Sequence, residues 1–373
     1  MSATNPLVGA YQAGQSIWLD YIQRSMFEGE LQALIKDDQI MGLTSNPAIF
    51  EQAIAKTNEY DEAIAAIIAK NDAVTNLELF TQLAVQDIQM AADAFADTYK
   101  NTKGIDGYVS LEVTPELADD VDGTVKMALD LRKRVARDNL MIKVPGTKAG
   151  VLAFEQLIRQ GVNVNVTLLF SVQRYLEIAQ AYVRGLQARH EDGNPVNNIA
   201  SVASFFVSRV DTAVDAALDQ SSNAAASELK GRIAIANAKV AYGHFANLFG
   251  SEKFANLRDQ GAQPQRLLWA STGTKNADYS DVMYVEQLIG PETVNTVPPK
   301  TMDAFRDHGT AEARLANKLA DAHKQLSALS EAGIPLNVIT DKLEQAGIES
   351  FAKSFDHLLD VLGDKRQRLS KQA

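Results

Sequence analysis

A lysine interrupts an apolar stretch in the segment NLMIKVP (139–145). If this segment is a strand, Lys143 points to the face opposite Ile142 and Val144. Burial disfavours a charged ammonium, and a neutral amine is a nucleophile towards carbonyl carbons. Lys143 is therefore a candidate for Schiff-base chemistry. The alternative is a structural role, in which Lys143 forms a buried ion pair with Glu112 on the preceding strand.

Two carboxylates occupy comparable positions in other apolar segments. Glu112 lies on the polar face of the segment before Lys143, where it could move protons as an imine forms. Asp20 ends the first apolar segment and is a candidate second acid or base that acts on the substrate. The alternative for Asp20 is that it caps the helix that follows.

A third set of polar side chains alternates with valines in the segment 162–170. Asn163, Asn165 and Thr167 share one predicted face of this segment. Such groups are costly to bury without hydrogen-bond partners. A polyhydroxylated ligand or ordered water would provide those partners.

The second apolar segment ends in Thr44, Ser45 and Asn46, just before Pro47. These polar groups also lie where a strand would end. Turn and helix-cap roles are the alternative for them, and we favour that interpretation for Ser45.

Cationic and hydroxyl side chains follow two later apolar segments. Arg209 comes directly after one of them, and Ser271 and Lys275 follow the next. Together these groups could hold a phosphate. The alternatives are a helix-end salt bridge for Arg209 and an exposed loop position for Lys275.

Other kinds of site are not predicted. There is no cysteine, which excludes disulfides, thiolate catalysis and cysteine-based metal sites. The sequence has no GxGxxG or GxxxxGK[ST] motif, so we expect no nucleotide cofactor. The histidines are scattered without metal-binding spacing, so we expect no metal: His190, His244, His308, His323 and His357.

Eight short apolar segments alternate with longer helix-like stretches and can position these residues. The predicted strands are 16–20, 40–45, 107–114, 139–145, 162–170, 201–208, 265–272 and 293–298. One face of several strands is apolar, whereas the other carries polar groups towards the carboxyl end. An open sheet covered by helices on both sides would show continuous apolar runs instead. The pattern predicts an α/β protein, a single (β/α)8 TIM barrel with its active site at the carboxyl ends of the strands.

Additional helices are predicted beyond the barrel repeat. No linker rich in proline or glycine divides the chain, so we predict one catalytic domain over residues 1–373. Helical insertions are expected near 48–100 and 222–250, and a helical C-terminal extension over 311–373. The basic end of the extension is predicted to be solvated.

Composition narrows the possible partners. The chain has 373 residues, with 36 Lys and Arg against 47 Asp and Glu, a net charge of −11. This acidity argues against nucleic acid or an anionic membrane as a partner, and an anionic substrate would need a local basic pocket. We find no signal peptide or membrane-spanning stretch and expect a cytoplasmic protein, either a monomer or a homodimer.

Six motifs in order resemble those of the transaldolase family, in its longer bacterial-type branch. The resemblance runs from about residue 14 to 310. The motifs are GLTSNPAIFEQAI (42–54), VSLEVTPELADD (109–120), NLMIKVPGTKAG (139–150), GVNVNVTLLFSVQRY (161–175), SFFVSRVD (204–211) and LLWASTGTKN (267–276).

The resemblance implies a role for each matching position. It makes Lys143 the Schiff-base lysine and Asp20 the acid/base for carbon–carbon cleavage, with Glu112 and Thr167 sharing a catalytic water. The dihydroxyacetone unit would be held by Asn46, Asn165 and Ser204, and the phosphate by Arg209, Ser271 and Lys275. Lys275 departs from the arginine that many members carry in a shorter loop, and lysine lacks the bidentate fork of arginine.

The implied activity is a cofactor-free transfer of dihydroxyacetone. The donor would be sedoheptulose 7-phosphate and the acceptor glyceraldehyde 3-phosphate, giving erythrose 4-phosphate and fructose 6-phosphate in the pentose phosphate pathway. One rival is an aldolase of the same superfamily, which releases dihydroxyacetone. Glu112 disfavours it, because the related fructose-6-phosphate aldolases carry glutamine there. The other rival is an inactive barrel that only binds sugar phosphates, which the intact lysine and carboxylates disfavour.

Overall fold

The computed structural model describes residues 5–221 and 223–371. Residue 222, at the start of the predicted 222–250 insertion, lies outside the described residues. So do residues 1–4, and residues 372 and 373 at the end of the predicted extension. Within the described residues, no helix is both long enough and apolar enough to cross a membrane.

Eight strands in the described part of the chain form one closed, parallel barrel. Each strand pairs with the next along the chain, and β1 pairs with β8 to close the ring. This arrangement confirms the predicted (β/α)8 fold. The strands are β1 (Gln15–Asp20), β2 (Ile40–Thr44), β3 (Val109–Glu112), β4 (Leu140–Pro145), β5 (Val164–Leu169), β6 (Ser201–Phe206), β7 (Arg266–Ala270) and β8 (Thr293–Val297).

Helices surround the barrel and follow its strands. Within the described ranges they are α1 (Pro6–Gln12), α2 (Glu30–Asp37), α3 (Pro47–Ala55), α4 (Asp61–Lys70), α5 (Asn76–Ala94), α6 (Ala96–Asn101), α7 (Val121–Val135), α8 (Lys148–Arg159), α9 (Val172–Glu191), α10 (Ser208–Asp219), α11 (Ile233–Phe249), α12 (Glu252–Asp259), α13 (Met283–Gln287), α14 (Pro299–His308), α15 (Leu319–Glu331) and α16 (Leu336–Ser370). The segment 48–100 includes α5, which packs against β3 and α7. The segment 222–250 includes α11, which packs against α9 and β7.

The alternation predicted for β5 fails at both ends. Asn163 precedes the strand, and its side chain hydrogen-bonds the backbone of Asp138 and Ala200 instead of joining a polar row. Leu168 has a φ of 61°, and the pairing register with β6 shifts between Val166 and Leu169. This left-handed residue interrupts the two-residue period, so the predicted face could not continue through Leu168.

The sixth strand ends earlier than predicted. It stops at Phe206, and α10 begins at Ser208. Arg209 therefore lies in the first turn of a helix, directly beside the strand end. The prediction of a strand over 201–208 was wrong at its carboxyl end, because an apolar run does not mark where a strand turns into a helix.

The last helix, α16, crosses the carboxyl-terminal mouth of the barrel. It packs against α3, α4 and α5 on one side and against α10 and β5 on the other. Gly347 lies against the side chain of Leu168, where a Cβ would come within 2.8 Å of that side chain. A larger residue at Gly347 would therefore force α16 away from β5.

The basic end of α16 is docked at Lys365, where the prediction of a solvated end was wrong, whereas the side chain of Arg368 is half exposed. Lys365 is 9% exposed and donates to Asp61 Oδ1 and to the carbonyl oxygen of Thr57, both at 2.7 Å. Arg368 donates to the other oxygen of Asp61 at 2.5 Å. These bonds tie the end of α16 to the segment that contains α3 and α4.

Candidate active site

A cavity of about 330 Å³ opens at the carboxyl ends of the strands. It lies where barrel enzymes hold their substrates, because the loops after the strands converge there. Eight of the ten predicted site residues line it: Asp20, Asn46, Lys143, Thr167, Ser204, Arg209, Ser271 and Lys275. The other two, Glu112 and Asn165, lie directly behind lining residues.

Lys143 forms a close, buried pair with Glu112. The two residues are register partners on β4 and β3, and Nζ lies 3.3 Å from Oε2. Their side chains are only 6% and 7% exposed, and Nζ also donates to the carbonyl oxygen of Ser45 at 3.2 Å. The ion pair proposed as the alternative role is present. It also provides a proton acceptor beside the amine, so it is compatible with chemistry at Lys143.

Burial raises the pKa of Glu112 above its ordinary value, and nearby Asp20 adds to this, although Lys143 opposes it. Glu112 Oε2 makes no hydrogen bond to the described residues beyond its ion pair with Lys143. Thr167 Oγ1, which is fully buried on β5, makes no hydrogen bond to the described residues. A buried oxygen without a hydrogen-bond partner lowers the stability of the fold unless a ligand or a water molecule binds to it.

Asp20 is the last residue of β1 and accepts a hydrogen bond from Thr44 Oγ1 at 2.8 Å. Thr296 Oγ1 lies 2.7 Å from Thr44 Oγ1. Because Thr44 gives its single proton to Asp20, Thr296 must donate to Thr44. The carboxylate is thus oriented by a chain of hydroxyls and does not cap a helix. Burial raises the pKa of Asp20, while Lys143, Thr44 and Arg209 oppose the rise.

Asn165 and Ser204 are joined behind the cavity wall. Ser204 Oγ donates to Asn165 Oδ1 at 2.7 Å, and Asn165 Nδ2 donates to Ser110 Oγ at 3.1 Å. Asn165 is fully buried, so Ser204 is the member of the pair that faces the cavity. Because the hydroxyl of Ser204 donates its one hydrogen bond to Asn165, it can act only as an acceptor towards the cavity.

Asn46 caps α3 as well as lining the cavity. Its Oδ1 accepts from the backbone nitrogen of Ile49 at 3.0 Å, and Pro47 occupies the first position of the helix. Its amide nitrogen makes no hydrogen bond to the described residues. Ser45 is instead committed to structure, because its hydroxyl donates to the Ser110 carbonyl at 2.7 Å.

The three predicted phosphate ligands line the same cavity. The guanidinium of Arg209 lies over the ring of Phe206, 5.2 Å from its centroid, and forms no salt bridge within the described residues. Burial lowers the pKa of Arg209, but an arginine stays charged near neutrality. Ser271 adopts a left-handed φ of 56°, and its Oγ lies 2.9 Å from Ser208 Oγ. Lys275 lines the cavity and is exposed.

Several lining residues were not predicted. They include Gln52 and Ile49 of α3, Thr296 of β8 and Phe351 of α16. Thr296 is the last residue but one of its strand, close to the end where the predicted residues lie, so its position was a usable signal. Phe351 gives no such signal, because only the packing of α16 across the mouth brings it to the cavity.

The closed parallel barrel and its polar cavity at the carboxyl ends of the strands are the architecture of a (β/α)8-barrel enzyme. Comparison with known proteins gives the family. The sequence model described as transaldolase/fructose-6-phosphate aldolase matches residues 17–362. The chain belongs to this family.

Similar proteins that carry the name transaldolase match over nearly their whole length. The chain is 43% identical to a transaldolase of Trichodesmium erythraeum, over 98% of this chain and 99% of that protein. It is 42% identical to transaldolase 2 of a Nostoc species, over 99% of each chain. It is also 42% identical to a transaldolase of Mycolicibacterium smegmatis, over 96% of this chain and 97% of that protein. These relatives support transaldolase activity, that of a transferase.

Proposed function

We propose that this transferase forms a Schiff base between Lys143 and a ketose phosphate and transfers the resulting dihydroxyacetone unit to an aldose phosphate. The observation that carries the proposal is the buried Lys143–Glu112 pair, with 3.3 Å between Nζ and Oε2, beside a cavity that also presents Asp20. One amine and two carboxylates are the groups that imine formation and carbon–carbon cleavage require.

The first step needs a neutral amine. Transfer of a proton from Lys143 to Glu112 gives a neutral pair, and burial favours this by raising the pKa of Glu112. The amine then attacks the ketone to form a carbinolamine. Glu112 returns the proton to the departing hydroxyl, which leaves as water. We propose that Glu112 and Thr167 share a water in this step, since both have buried oxygens free to bind it.

Asp20 acts in the second step as a base. It removes the proton from the C4 hydroxyl, and the electron pair of the C3–C4 bond moves into the iminium. An aldose phosphate leaves, and an enamine of dihydroxyacetone stays bound to Lys143. The enamine then attacks the acceptor aldehyde, which is the reverse of the cleavage step. Asp20 returns its proton to the new C4 hydroxyl. The iminium is the electron sink, so these steps use only the protein's own groups.

The polar lining supports a polyhydroxylated, phosphorylated substrate. Ser204 and the amide of Asn46 offer hydrogen bonds to the dihydroxyacetone unit, with Asn165 orienting Ser204. Arg209, Ser271 and Lys275 would hold the phosphate. We propose sedoheptulose 7-phosphate and glyceraldehyde 3-phosphate as donor and acceptor, with erythrose 4-phosphate and fructose 6-phosphate as products. The pathway would be the non-oxidative branch of the pentose phosphate pathway.

A coupled assay tests this function against the aldolase rival. The protein is given fructose 6-phosphate with and without erythrose 4-phosphate, and both sedoheptulose 7-phosphate and free dihydroxyacetone are measured. We expect sedoheptulose 7-phosphate only when the acceptor is present, and little free dihydroxyacetone in either case. Release of dihydroxyacetone at the same rate with or without acceptor would make the protein an aldolase.

The substitution Glu112→Gln should slow formation and hydrolysis of the imine. Glutamine cannot take the proton from Lys143, and positioned proton transfer is worth about 10²–10⁴-fold in rate. We also expect the balance to move towards release of dihydroxyacetone. The measurement is the rate of imine formation in rapid-quench borohydride reduction, together with the products.

The matched control is Glu286→Gln, which removes the charge of a glutamate paired with Arg314 at 3.3 Å, outside the cavity. It should leave the rate of imine formation unchanged. An equal loss in both variants would show that Glu112 acts on the fold and not on the imine.

Removing the charge of Arg209 or Lys275, the two cations proposed to bind the phosphate, should mainly raise KM for phosphorylated sugars. A charge-assisted hydrogen bond is worth about 1.5–3 kcal/mol, or about 10- to 150-fold. Arg209→Ala should cost more than Lys275→Ala, because arginine can form a bidentate contact and is more buried. The measurement is kcat and KM of each variant with phosphorylated sugars, each determined separately.

Unphosphorylated dihydroxyacetone donors provide the internal control, since they cannot use the contact. Their kcat/KM should change little in either variant. Equal losses with phosphorylated and unphosphorylated donors would assign Arg209 and Lys275 to the stability of the barrel and not to phosphate binding.

A further inference from the structure

An aromatic ring from the last helix lies over the candidate nucleophile. Phe351 of α16 is 6% exposed and lines the same cavity as Lys143. The Nζ atom of Lys143 lies 5.9 Å from the centroid of the ring, over its face. The ring therefore forms an apolar cover on the mouth side of the amine.

The position of this cover is fixed by contacts on both sides of it along α16. Before Phe351, Glu344 pairs with Arg174 of α9 at 3.5 Å. After it, Lys365 pairs with Asp61 of α4 at 2.7 Å. Because α9 follows β5 and α4 follows β2, the two ion pairs hold the helix across the mouth, with the ring of Phe351 over Lys143.

The covalent intermediate has two possible fates. In transfer, the enamine carbon attacks the acceptor aldehyde, and the new iminium is then hydrolysed to release a longer ketose. In premature release, the enamine is first protonated on carbon to give the iminium of dihydroxyacetone. Water then adds to the iminium carbon and loses a proton, and the carbinolamine expels the Lys143 amine to give free dihydroxyacetone. The second fate needs water at the iminium before the acceptor arrives.

We propose that Phe351 directs the intermediate towards transfer by covering the Schiff-base nitrogen. This inference rests on the proposed Schiff base at Lys143. The ring keeps water from one side of the iminium, which slows the addition of water before the acceptor arrives. The C-terminal extension thus supplies a residue that determines which reaction the barrel performs.

The test is the ratio of dihydroxyacetone released to sugar transferred, with fructose 6-phosphate as donor and a fixed concentration of erythrose 4-phosphate. Phe351→Leu keeps an apolar side chain in the helix but removes the aromatic face. We expect the ratio to rise several-fold, because the smaller side chain lets water reach the iminium.

The matched control is Phe355→Leu, one turn later on α16. Phe355 is buried, packs against Phe80 with 5.3 Å between ring centroids, and does not line the cavity. The Phe355→Leu variant measures how far looser packing of α16 alone changes the ratio of dihydroxyacetone released to sugar transferred. A rise in Phe351→Leu that Phe355→Leu does not share supports the proposal, whereas an equal rise in both would overturn it.

Borohydride reduction of each variant separates this inference from the proposed function. If the adduct forms on Lys143 and the ratio in Phe351→Leu equals that of the unsubstituted protein, this inference alone is overturned. If no adduct forms on Lys143 in the unsubstituted protein, the proposed Schiff base fails, and this inference fails with it.

Discussion

The Lys143→Ala variant is expected to lose transfer activity by about 10⁴-fold or more, because loss of a covalent nucleophile removes the reaction path itself. The variant should also show no covalent trapping by borohydride. We expect the fold to be retained, since burial already raises the pKa of Glu112 and lets that carboxyl group stay neutral without its partner. Activity is measured in the coupled assay, and the fold by circular dichroism.

Lys239→Ala is the matched control for this variant. Lys239 is another buried lysine, 7% exposed, and its Nζ donates to the carbonyl oxygens of Arg314 and Asn317 at 2.8 and 3.0 Å. Its truncation should lower the free energy of unfolding but leave the trapped adduct in place. Transfer activity in Lys143→Ala close to that of Lys239→Ala would remove Lys143 from the mechanism.

The second large effect is expected for Asp20→Asn, which should still form the Schiff base but fail to cleave the C3–C4 bond. Asparagine keeps the shape of the side chain but cannot accept the proton, and a positioned base is worth about 10²–10⁴-fold. The imine with intact fructose 6-phosphate should therefore accumulate. Mass spectrometry after borohydride reduction should find a six-carbon sugar phosphate on Lys143 and no three-carbon adduct.

Asp211→Asn is the control for the loss of a buried carboxylate near the same barrel end. Asp211 accepts from the backbone nitrogen of Ala234 at 2.7 Å and from Tyr284 Oη at 2.9 Å, and burial raises its pKa to about 6. It does not line the cavity, so this variant should still cleave the donor and give the three-carbon adduct. A three-carbon adduct in Asp20→Asn would mean that another group removes the C4 proton.

The sequence predicted the elements of the barrel because each strand leaves a local pattern. Alternation in β4 placed Lys143 on the inner face, and the order of the strands placed Glu112 beside it; the structure makes the two register partners. Polar residues at strand ends converge because parallel strands end at one rim. These arguments need only the period of a strand and the topology of the sheet.

Features that depend on strand ends or on long-range packing were not predicted. Asn163 fits the alternation of β5 but precedes the strand, since a period of two does not say where pairing begins. The charged end of α16 resembled a solvated tail, because its partner Asp61 lies in another part of the chain. Phe351 was missed for the same reason, as its place above Lys143 follows from the path of α16 and not from its local sequence.

The most direct measurement is peptide mapping of the protein after borohydride reduction in the presence of fructose 6-phosphate. The proposed mechanism predicts a single dihydroxyacetone-derived adduct, and it predicts that adduct on Lys143, the buried amine beside Glu112. An adduct on another lysine, or full transfer activity with no adduct at all, would contradict it.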